Sequence, residues 1–411
     1  MPEEATHRLL AHMVLIKFDL MHQGSTTEAA ILSSLQRALV SAQHDRADDL
    51  WRQLRQLCRE GSGRREEFSR ASVLRQLNGG LKFVGTPVLA SDLRVLSELS
   101  SHWLAQQPDD IGGTHIDRGA LREKLITEMR RHRLTLIKGL PGVGKTVLLR
   151  DLLGLYASDG TTFLLTANRL SGNNWAEHAS AIGLSAIAIE PLLVEVMATG
   201  HAVLFIDGLD RITPEQRGVI TDLMAQILTS PALSGWRIVA TARDAGIEPL
   251  RSWVPTALMT NGCVGYVDVD NLSPEDAEAL ANSLPALRPL LLDGDERVQA
   301  LARRPFFASV LARGFSSAAY PEGFVPRSEI DLIRAWWSRG GYDAQASQSL
   351  ARQRALIELA QRSAPDLGRN LRIRDLSAAT QSALPALLED GLVKQVRPGL
   401  TAQFSHDIFF E

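Results

Sequence analysis

The stretch LTLIKGLPGVGKT, residues 134–146, decides how this chain folds. Its last eight residues fit the pattern G-x-x-x-x-G-K-[ST] at every fixed position. Glycines let a backbone wrap around a phosphate with its N–H groups facing inward, and the helix that follows presents its positive end to the same anion. The pattern therefore predicts a phosphate-binding loop made of Gly139, Leu140, Pro141, Gly142, Val143, Gly144, Lys145 and Thr146.

Two side chains of this loop have distinct predicted roles. Lys145 would neutralise the β- and γ-phosphates of a nucleotide, and the Thr146 hydroxyl would be a ligand of Mg²⁺. The surroundings agree, because an apolar run enters the loop from Leu134 and a leucine-rich helical pattern follows it. A loop between a strand and a helix is the setting that this motif requires.

Apolar strand-like runs alternate with helix-length segments over residues 115–270. This alternation predicts an α/β nucleotide-binding domain with a parallel sheet and helices on both faces. The run 202–206 is apolar at every position, as in strands that are buried on both sides. The predicted strands are 134–138, 162–166, 202–206, 237–241 and 264–268, and the predicted helices are 145–157, 174–198 and 214–229.

The composition of the chain indicates which kinds of binding partner and which cellular setting to expect. The 411 residues include 44 basic and 47 acidic side chains, so nothing in the charge balance favours nucleic acid or an anionic membrane. Cys58 and Cys263 lie far apart and form no metal-ligand spacing, which is typical of reduced thiols. No apolar run reaches the roughly eighteen residues that span a bilayer, and the N-terminus lacks the layout of a signal peptide. These features predict a cytoplasmic protein.

Two carboxylates follow the apolar run at 203–206. Asp207 ends a predicted buried strand, at the edge of the sheet where α/β proteins place their sites. We predict that it is catalytic and that it shares Mg²⁺ with Thr146. Asp210, three residues later, is interpreted either as the general base for an attacking water or as a helix-capping aspartate.

An arginine follows the next predicted strand. In Thr241-Ala242-Arg243-Asp244, Arg243 is placed to sense a γ-phosphate through charge-assisted bonds, and the alternative is a surface ion pair. The chain has no Asn-Lys-x-Asp tetrapeptide of the kind that reads guanine. The predicted ligands are therefore ATP or ADP with Mg²⁺, rather than GTP.

The remaining regions are predicted to be mainly helical. Residues 1–110 have helical spacing, residues 271–324 predict a small helical domain, and residues 325–411 have the layout of a winged helix with a hairpin around Pro398-Gly399. The expected recognition helix, residues 377–390, has no Lys or Arg, so DNA binding through this chain is not expected. Because the chain stops inside an apolar pattern, we expect it to be a fragment of a longer protein.

Taken in order, these motifs resemble the STAND class of signalling ATPases, which includes the NB-ARC and NACHT modules of immune receptors. The resemblance covers roughly residues 115–411 and extends to segments 271–277, 304–307, 331–337 and 405–407. It implies that Arg118 lies near the adenine, that Pro305 packs on it, and that His406 contacts the β-phosphate of ADP. From its apolar surroundings alone, His406 is interpreted as a core or capping histidine. The sequence departs from the family at Arg211, where an acid is frequent, and at Ser405, where methionine is usual.

The resemblance implies a switch that is closed with ADP and open with ATP. The open form would associate into a homo-oligomer after a protein trigger binds, in immune or antiphage defence, and residues 1–110 would be an effector or a spacer. Three alternatives stay open: a steadily hydrolysing AAA+ motor, a STAND-type transcription regulator whose DNA-binding domain lies outside this chain, and a P-loop kinase of small molecules.

Overall fold

The structure is a computed structural model, and it describes residues 25–62, 70–77, 80–185, 188–260, 262–317, 320, 323–343, 348–364, 371–397 and 399–405. By its internal contacts the chain divides into two compact units, Met1–Pro87 and Val88–Glu411. None of the helices in these residues has the length and apolarity needed to cross a membrane.

The first unit is helical in its described part, apart from one β-bridge between Leu39 and Phe83. Leu39 and Leu50 are almost completely buried and form its small core. The Ser25 side chain starts the first helix by accepting a hydrogen bond from the N–H of Glu28. The helices are α1 (Thr26–Ala38), α2 (Ala47–Ser62) and α3 (Arg70–Gln76).

The second unit is built on a five-stranded sheet in which all strands are parallel, as predicted. The strand order is β4-β5-β6-β3-β7, so the strand that enters the phosphate loop has a neighbour on each side. Leu134, Leu136 and Ile137 of that strand are fully buried. The strands are β3 (Leu134–Lys138), β4 (Thr161–Thr166), β5 (Gly200–Asp207), β6 (Arg237–Thr241) and β7 (Val264–Asp268). They follow a short antiparallel hairpin of β1 (Asp110–Ile111) and β2 (Thr114–His115).

Helices cover the sheet. They are α4 (Ala90–Gln106), α5 (Gly119–Arg131), α6 (Lys145–Ala157), α7 (Trp175–Ala181), α8 (Ile189–Thr199), α9 (Arg217–Thr229), α10 (Ile247–Leu250) and α11 (Thr256–Met259). The single helix predicted over 174–198 is two helices, because Gly183 takes a left-handed φ of 82° directly after α7. Its N–H bonds to the carbonyl of Ser180, a common way for a helix to end.

Helix α4 belongs with the sheet, whereas the sequence groups it with the N-terminal region. Trp103 is buried in the same core as Leu149 and Phe205. At its other end the carboxylate of Asp92 is buried and accepts hydrogen bonds from the backbone N–H and the hydroxyl of Ser185, at 2.9 and 2.8 Å. The second compact unit accordingly begins at Val88. The apolar spacing showed that one face of this helix is buried but not what covers it.

The C-terminal part of the second unit consists of helices and a three-stranded antiparallel sheet of order β8-β10-β9. One continuous apolar core extends from Leu272 to Phe404, and Ile111 of the hairpin also packs into it. Its elements are α12 (Pro274–Ser283), α13 (Glu296–Ala302), α14 (Pro305–Ser316), α15 (Glu329–Ser338), α16 (Ser349–Ser363), β8 (Leu371–Arg372), α17 (Ala378–Glu389), β9 (Val393–Arg397) and β10 (Thr401–Phe404).

Candidate functional site

The loop between β3 and α6 has a backbone that side chains would disturb. Gly139 has a φ of 146°, and a Cβ at this position would lie 2.4 Å from the carbonyl oxygen of Val269. Gly144 has a φ of 97° and directly precedes the first residue of α6. Glycine is required at both positions, at the first for close approach of two backbones and at the second for the left-handed turn into the helix.

Three carbonyl groups of the loop, those of Pro141, Gly142 and Val143, accept hydrogen bonds from outside it. Within the described part of the chain, no backbone acceptor binds the amide N–H groups of Leu140 or of residues 142–146. These groups and the positive end of α6 form a site suited to a phosphate.

Lys145 lies across the start of the loop. Its Nζ donates hydrogen bonds to the carbonyls of Gly139 and Leu140, at 2.9 and 2.7 Å. Burial lowers the pKa of this ammonium group, and the nearby carboxylates of Asp210 and Asp244 act in the opposite direction. The arrangement holds one positive charge beside the inward-facing amides, where a polyphosphate would bind.

The structure brings the two predicted Mg²⁺ ligands together. The hydroxyl of Thr146 donates to Asp207 Oδ1 over 3.0 Å. Thr241, which the sequence did not indicate, donates to the same oxygen over 2.8 Å and accepts the N–H of Gly208 over 2.7 Å. A hydroxyl and a carboxylate are oxygen donors that suit Mg²⁺. No cluster of three or more His, Cys, Asp or Glu side chains that could hold a metal occurs among the described residues.

Asp210 and Arg243 lie together as an ion pair. Arg243 Nε donates to Asp210 Oδ2 over 2.8 Å, and only 3% of the Asp210 side chain is exposed. Gly246 makes room for this carboxylate, since a Cβ there would lie 2.4 Å from the Cβ of Asp210. The predicted base and the predicted γ-phosphate sensor therefore neutralise each other in this conformation.

Arg118 contacts backbone groups on both sides of the loop. Its Nη1 donates to the carbonyl of Val143 over 2.9 Å, and its Nη2 donates to the carbonyl of Asp270 over 3.3 Å. Burial lowers the pKa of this guanidinium. Arg118 thus contacts both the loop and the connection to α12, and its place near the adenine stays a prediction.

The first turn of α14 also contacts the loop. Pro305 is the first residue of that helix, and its two neighbours make the contacts. Arg304 Nε donates to the carbonyl of Pro141 over 2.9 Å, and the N–H of Phe306 donates to the carbonyl of Gly142 over 3.0 Å. The segment 304–307 was noted for its resemblance to a family motif, but these two contacts with the loop were not predicted, because a bond to a backbone carbonyl leaves no trace in the loop sequence. His406 lies outside the described residues.

Comparison with protein families agrees with this geometry. Residues 133–285 match the model of the NACHT domain. This region is a P-loop NTPase domain of the STAND class. The NACHT match contains the phosphate loop, Asp207, Asp210 and Arg243, and it ends within the helices that follow β7. No curated protein matches the chain.

Solved structures give distant likenesses to this chain. A Signal Transduction ATPase with Numerous Domains protein with a tetratricopeptide repeat sensor, from Pyrococcus horikoshii, is 16% identical over 74% of this chain and 44% of its own, with a TM-score of 0.40. A Walker-type ATPase of Pyrococcus abyssi is 17% identical over 74% of this chain and 97% of its own, with a TM-score of 0.35. RuvB from Thermotoga maritima is 16% identical over 70% of this chain and 92% of its own, with a TM-score of 0.29. Scores this low add nothing to the account of the fold, and the chain spans under half of the first protein.

Proposed function

We propose that this chain is an ATP- and ADP-binding switch in which the bound nucleotide controls how the C-terminal helices meet the sheet. The observation that carries the proposal is the contact between α14 and the phosphate loop, where the N–H of Phe306 bonds to the carbonyl of Gly142 over 3.0 Å. A ligand that reshapes this loop therefore acts directly on α14, a helix of the C-terminal core. A switch needs such a contact, because a ligand shifts an equilibrium only by binding two states differently.

In the proposed binding mode, the amide N–H groups of Leu140 and of residues 142–146, together with the Lys145 side chain, hold the β- and γ-phosphates. Thr146 and Asp207 hold Mg²⁺, which would neutralise phosphate charge. Arg118 and Pro305 form the adenine side, as the family resemblance implies. His406 is proposed to contact the β-phosphate of ADP.

The Asp210–Arg243 pair supports slow hydrolysis. A γ-phosphate that attracts Arg243 would separate the guanidinium from Asp210, and the freed carboxylate could then accept a proton from an attacking water. Separation is unfavourable because it leaves the carboxylate buried without its partner. The pair therefore supports a nucleotide that is held for long periods rather than rapid turnover.

The C-terminal sheet supports a closed conformation of the switch. Asn168, just after β4, donates through Nδ2 to Oε1 of the buried Gln403 over 3.0 Å. Gln106 of α4 reaches the carbonyl of Gln395 over 3.5 Å. Neutral hydrogen bonds of this kind contribute about 1 kcal/mol each, so a protein trigger could release them. We propose that residues 325–411 are a winged helix, that release exposes a surface for homo-oligomerisation, and that the setting is cytoplasmic immune or antiphage defence.

The test is the nucleotide content and affinity of the purified protein. Mass spectrometry of the wild-type protein should find ADP close to one per chain. Lys145→Ala should lose it and weaken binding of a fluorescent ADP analogue at least a hundredfold. Lys124→Ala, an exposed lysine on α5, is the matched control and should bind as wild type does. Wild-type protein that neither carries nor binds adenine nucleotide would overturn the proposal, and rapid turnover without a trigger would favour a motor.

A further inference from the structure

Each carbonyl of the phosphate loop is bound by a partner. Lys145 binds those of Gly139 and Leu140, as described above. The next three, at Pro141, Gly142 and Val143, accept from groups outside the loop, namely Arg304 Nε at 2.9 Å, the N–H of Phe306 at 3.0 Å and Arg118 Nη1 at 2.9 Å. Two of these three donors come from the first turn of α14 or the residue before it.

In this loop, the direction of each carbonyl fixes the direction of the N–H of the next residue. A peptide unit is planar and trans, so the carbonyl of one residue and the N–H of the next point in opposite directions. A bond that holds the carbonyl of Pro141 outward therefore holds the N–H of Gly142 toward the phosphate site. The donors on the outer side fix the amides that would bind phosphate on the inner side.

Arg304 is the best anchored of these donors. Its guanidinium binds the carbonyl of Pro141 and, through Nη1, Oε1 of Glu329 over 2.7 Å, and it lies 5.3 Å from the centre of the Phe307 ring. Only 13% of its side chain is exposed. A planar fork held on several sides loses little freedom when it binds, which suits a group that must fix a backbone.

We infer that Arg304 is a positioning residue for the phosphate loop and that it links the loop to α15. Glu329 is the first residue of α15, so the position of this helix bears on Arg304 and, through Pro141, on the amide of Gly142. This inference rests on the proposed nucleotide function. It assigns to Arg304 no contact with the nucleotide itself.

The variant Arg304→Gln tests the link. It should weaken binding of a fluorescent ADP analogue about tenfold, the effect of losing one hydrogen bond from a charged group. Glu329→Gln keeps the bond to Pro141 and removes only an exposed ion-pair partner, so we expect about a twofold loss. Arg303→Gln is the matched control, because Arg303 Nε bonds to the carbonyl of Leu291 within the helical part and does not contact the loop.

Hydrogen exchange separates positioning from general destabilisation. With saturating ADP, Arg304→Gln should speed exchange in the peptide that contains residues 139–146 and leave β5 and β6 unchanged. Equal acceleration everywhere, or wild-type affinity and wild-type exchange in Arg304→Gln, would overturn the inference. If Arg304→Gln does not fold, Arg304→Lys and Glu329→Gln test the inference instead, by ADP-analogue affinity and by hydrogen exchange of residues 139–146. If wild-type protein binds ADP and Lys145→Ala does not, a null result for these variants counts against the inference alone.

Discussion

Thr241 shows how one hydroxyl can support a site that it does not itself form. It donates to Asp207 Oδ1 and accepts the N–H of Gly208, so it fixes the carboxylate and the turn that follows it. Only 3% of this residue is exposed. A buried group with two partners in one site is expensive to remove, because both partners lose their bond without gaining water.

We therefore expect Thr241→Val to destabilise the second unit by about 1–3 kcal/mol, measured by urea denaturation. Binding of ADP with Mg²⁺ should weaken as well, because Asp207 loses the contact that orients it. Thr241→Ser keeps the hydroxyl and is the matched control, which should retain most of the stability and affinity. If valine and serine behave alike, the hydroxyl has no such role.

At the scale of elements, α7 contains a histidine that makes the fold sensitive to acid. His178 is 2% exposed, and its Nδ1 accepts the N–H of Ser171 over 3.3 Å. Burial lowers its pKa from 6.5 to about 4. The folded protein keeps the imidazole neutral, whereas the unfolded chain takes up a proton below pH 6.5.

Because the folded pKa is the lower one, the stabilisation is present above pH 6.5 and is lost as the pH falls from 6.5 to about 4. The difference is worth up to about 3 kcal/mol. Denaturation midpoints of the wild-type protein should fall over this range. In His178→Asn, whose Oδ1 can take the place of Nδ1 as acceptor, the fall should be clearly smaller, and an equal slope in both proteins would assign the acid sensitivity to other groups.

The elements differ in how well the sequence predicted them. The loop at 139–146 and Asp207 were found because each has a local signature, a glycine pattern in one case and a buried strand with a terminal carboxylate in the other. The break between α7 and α8 was missed, although Gly183 marked it. The placement of α4 and the contacts of Arg304 and Phe306 could not be found, because they depend on packing partners and backbone acceptors that no sequence pattern encodes.

At the scale of the whole second unit, polar contacts join the C-terminal core to the loops and helices around the parallel sheet. Residues 272–404 share one apolar core, so the predicted domains 271–324 and 325–411 are packed together in this structure. The described bonds from this part to the sheet helices and loops include Arg304 to Pro141, Phe306 to Gly142 and Asn168 to Gln403. Each of these hydrogen bonds has a fixed direction and can be broken by itself, whereas the apolar contacts of a core cannot be separated in this way.

Gln403→Leu should accordingly loosen the closed form. The substitution keeps the size of the side chain but leaves Asn168 without its acceptor, so we expect a larger radius of gyration of the ADP-bound protein in small-angle scattering and faster release of ADP. Gln353→Leu removes a half-buried glutamine that bonds to the carbonyl of Trp337 inside the C-terminal part, and it serves as control. If scattering and ADP release are unchanged in Gln403→Leu, the bond between Asn168 and Gln403 does not hold the closed form.

The strand order has a mechanical consequence. The loop contacts lie at the end of β3 and the Asn168 contact lies after β4, and two strands separate these in the sheet. Three strand spacings place the two attachments about 14 Å apart. Attachments this far apart resist twisting in the plane of the sheet. If the attachment at the loop were released, those at Asn168 and Gln106 would act as a pivot, and we expect a small change at the phosphates to become a large displacement at the far end of the C-terminal helices.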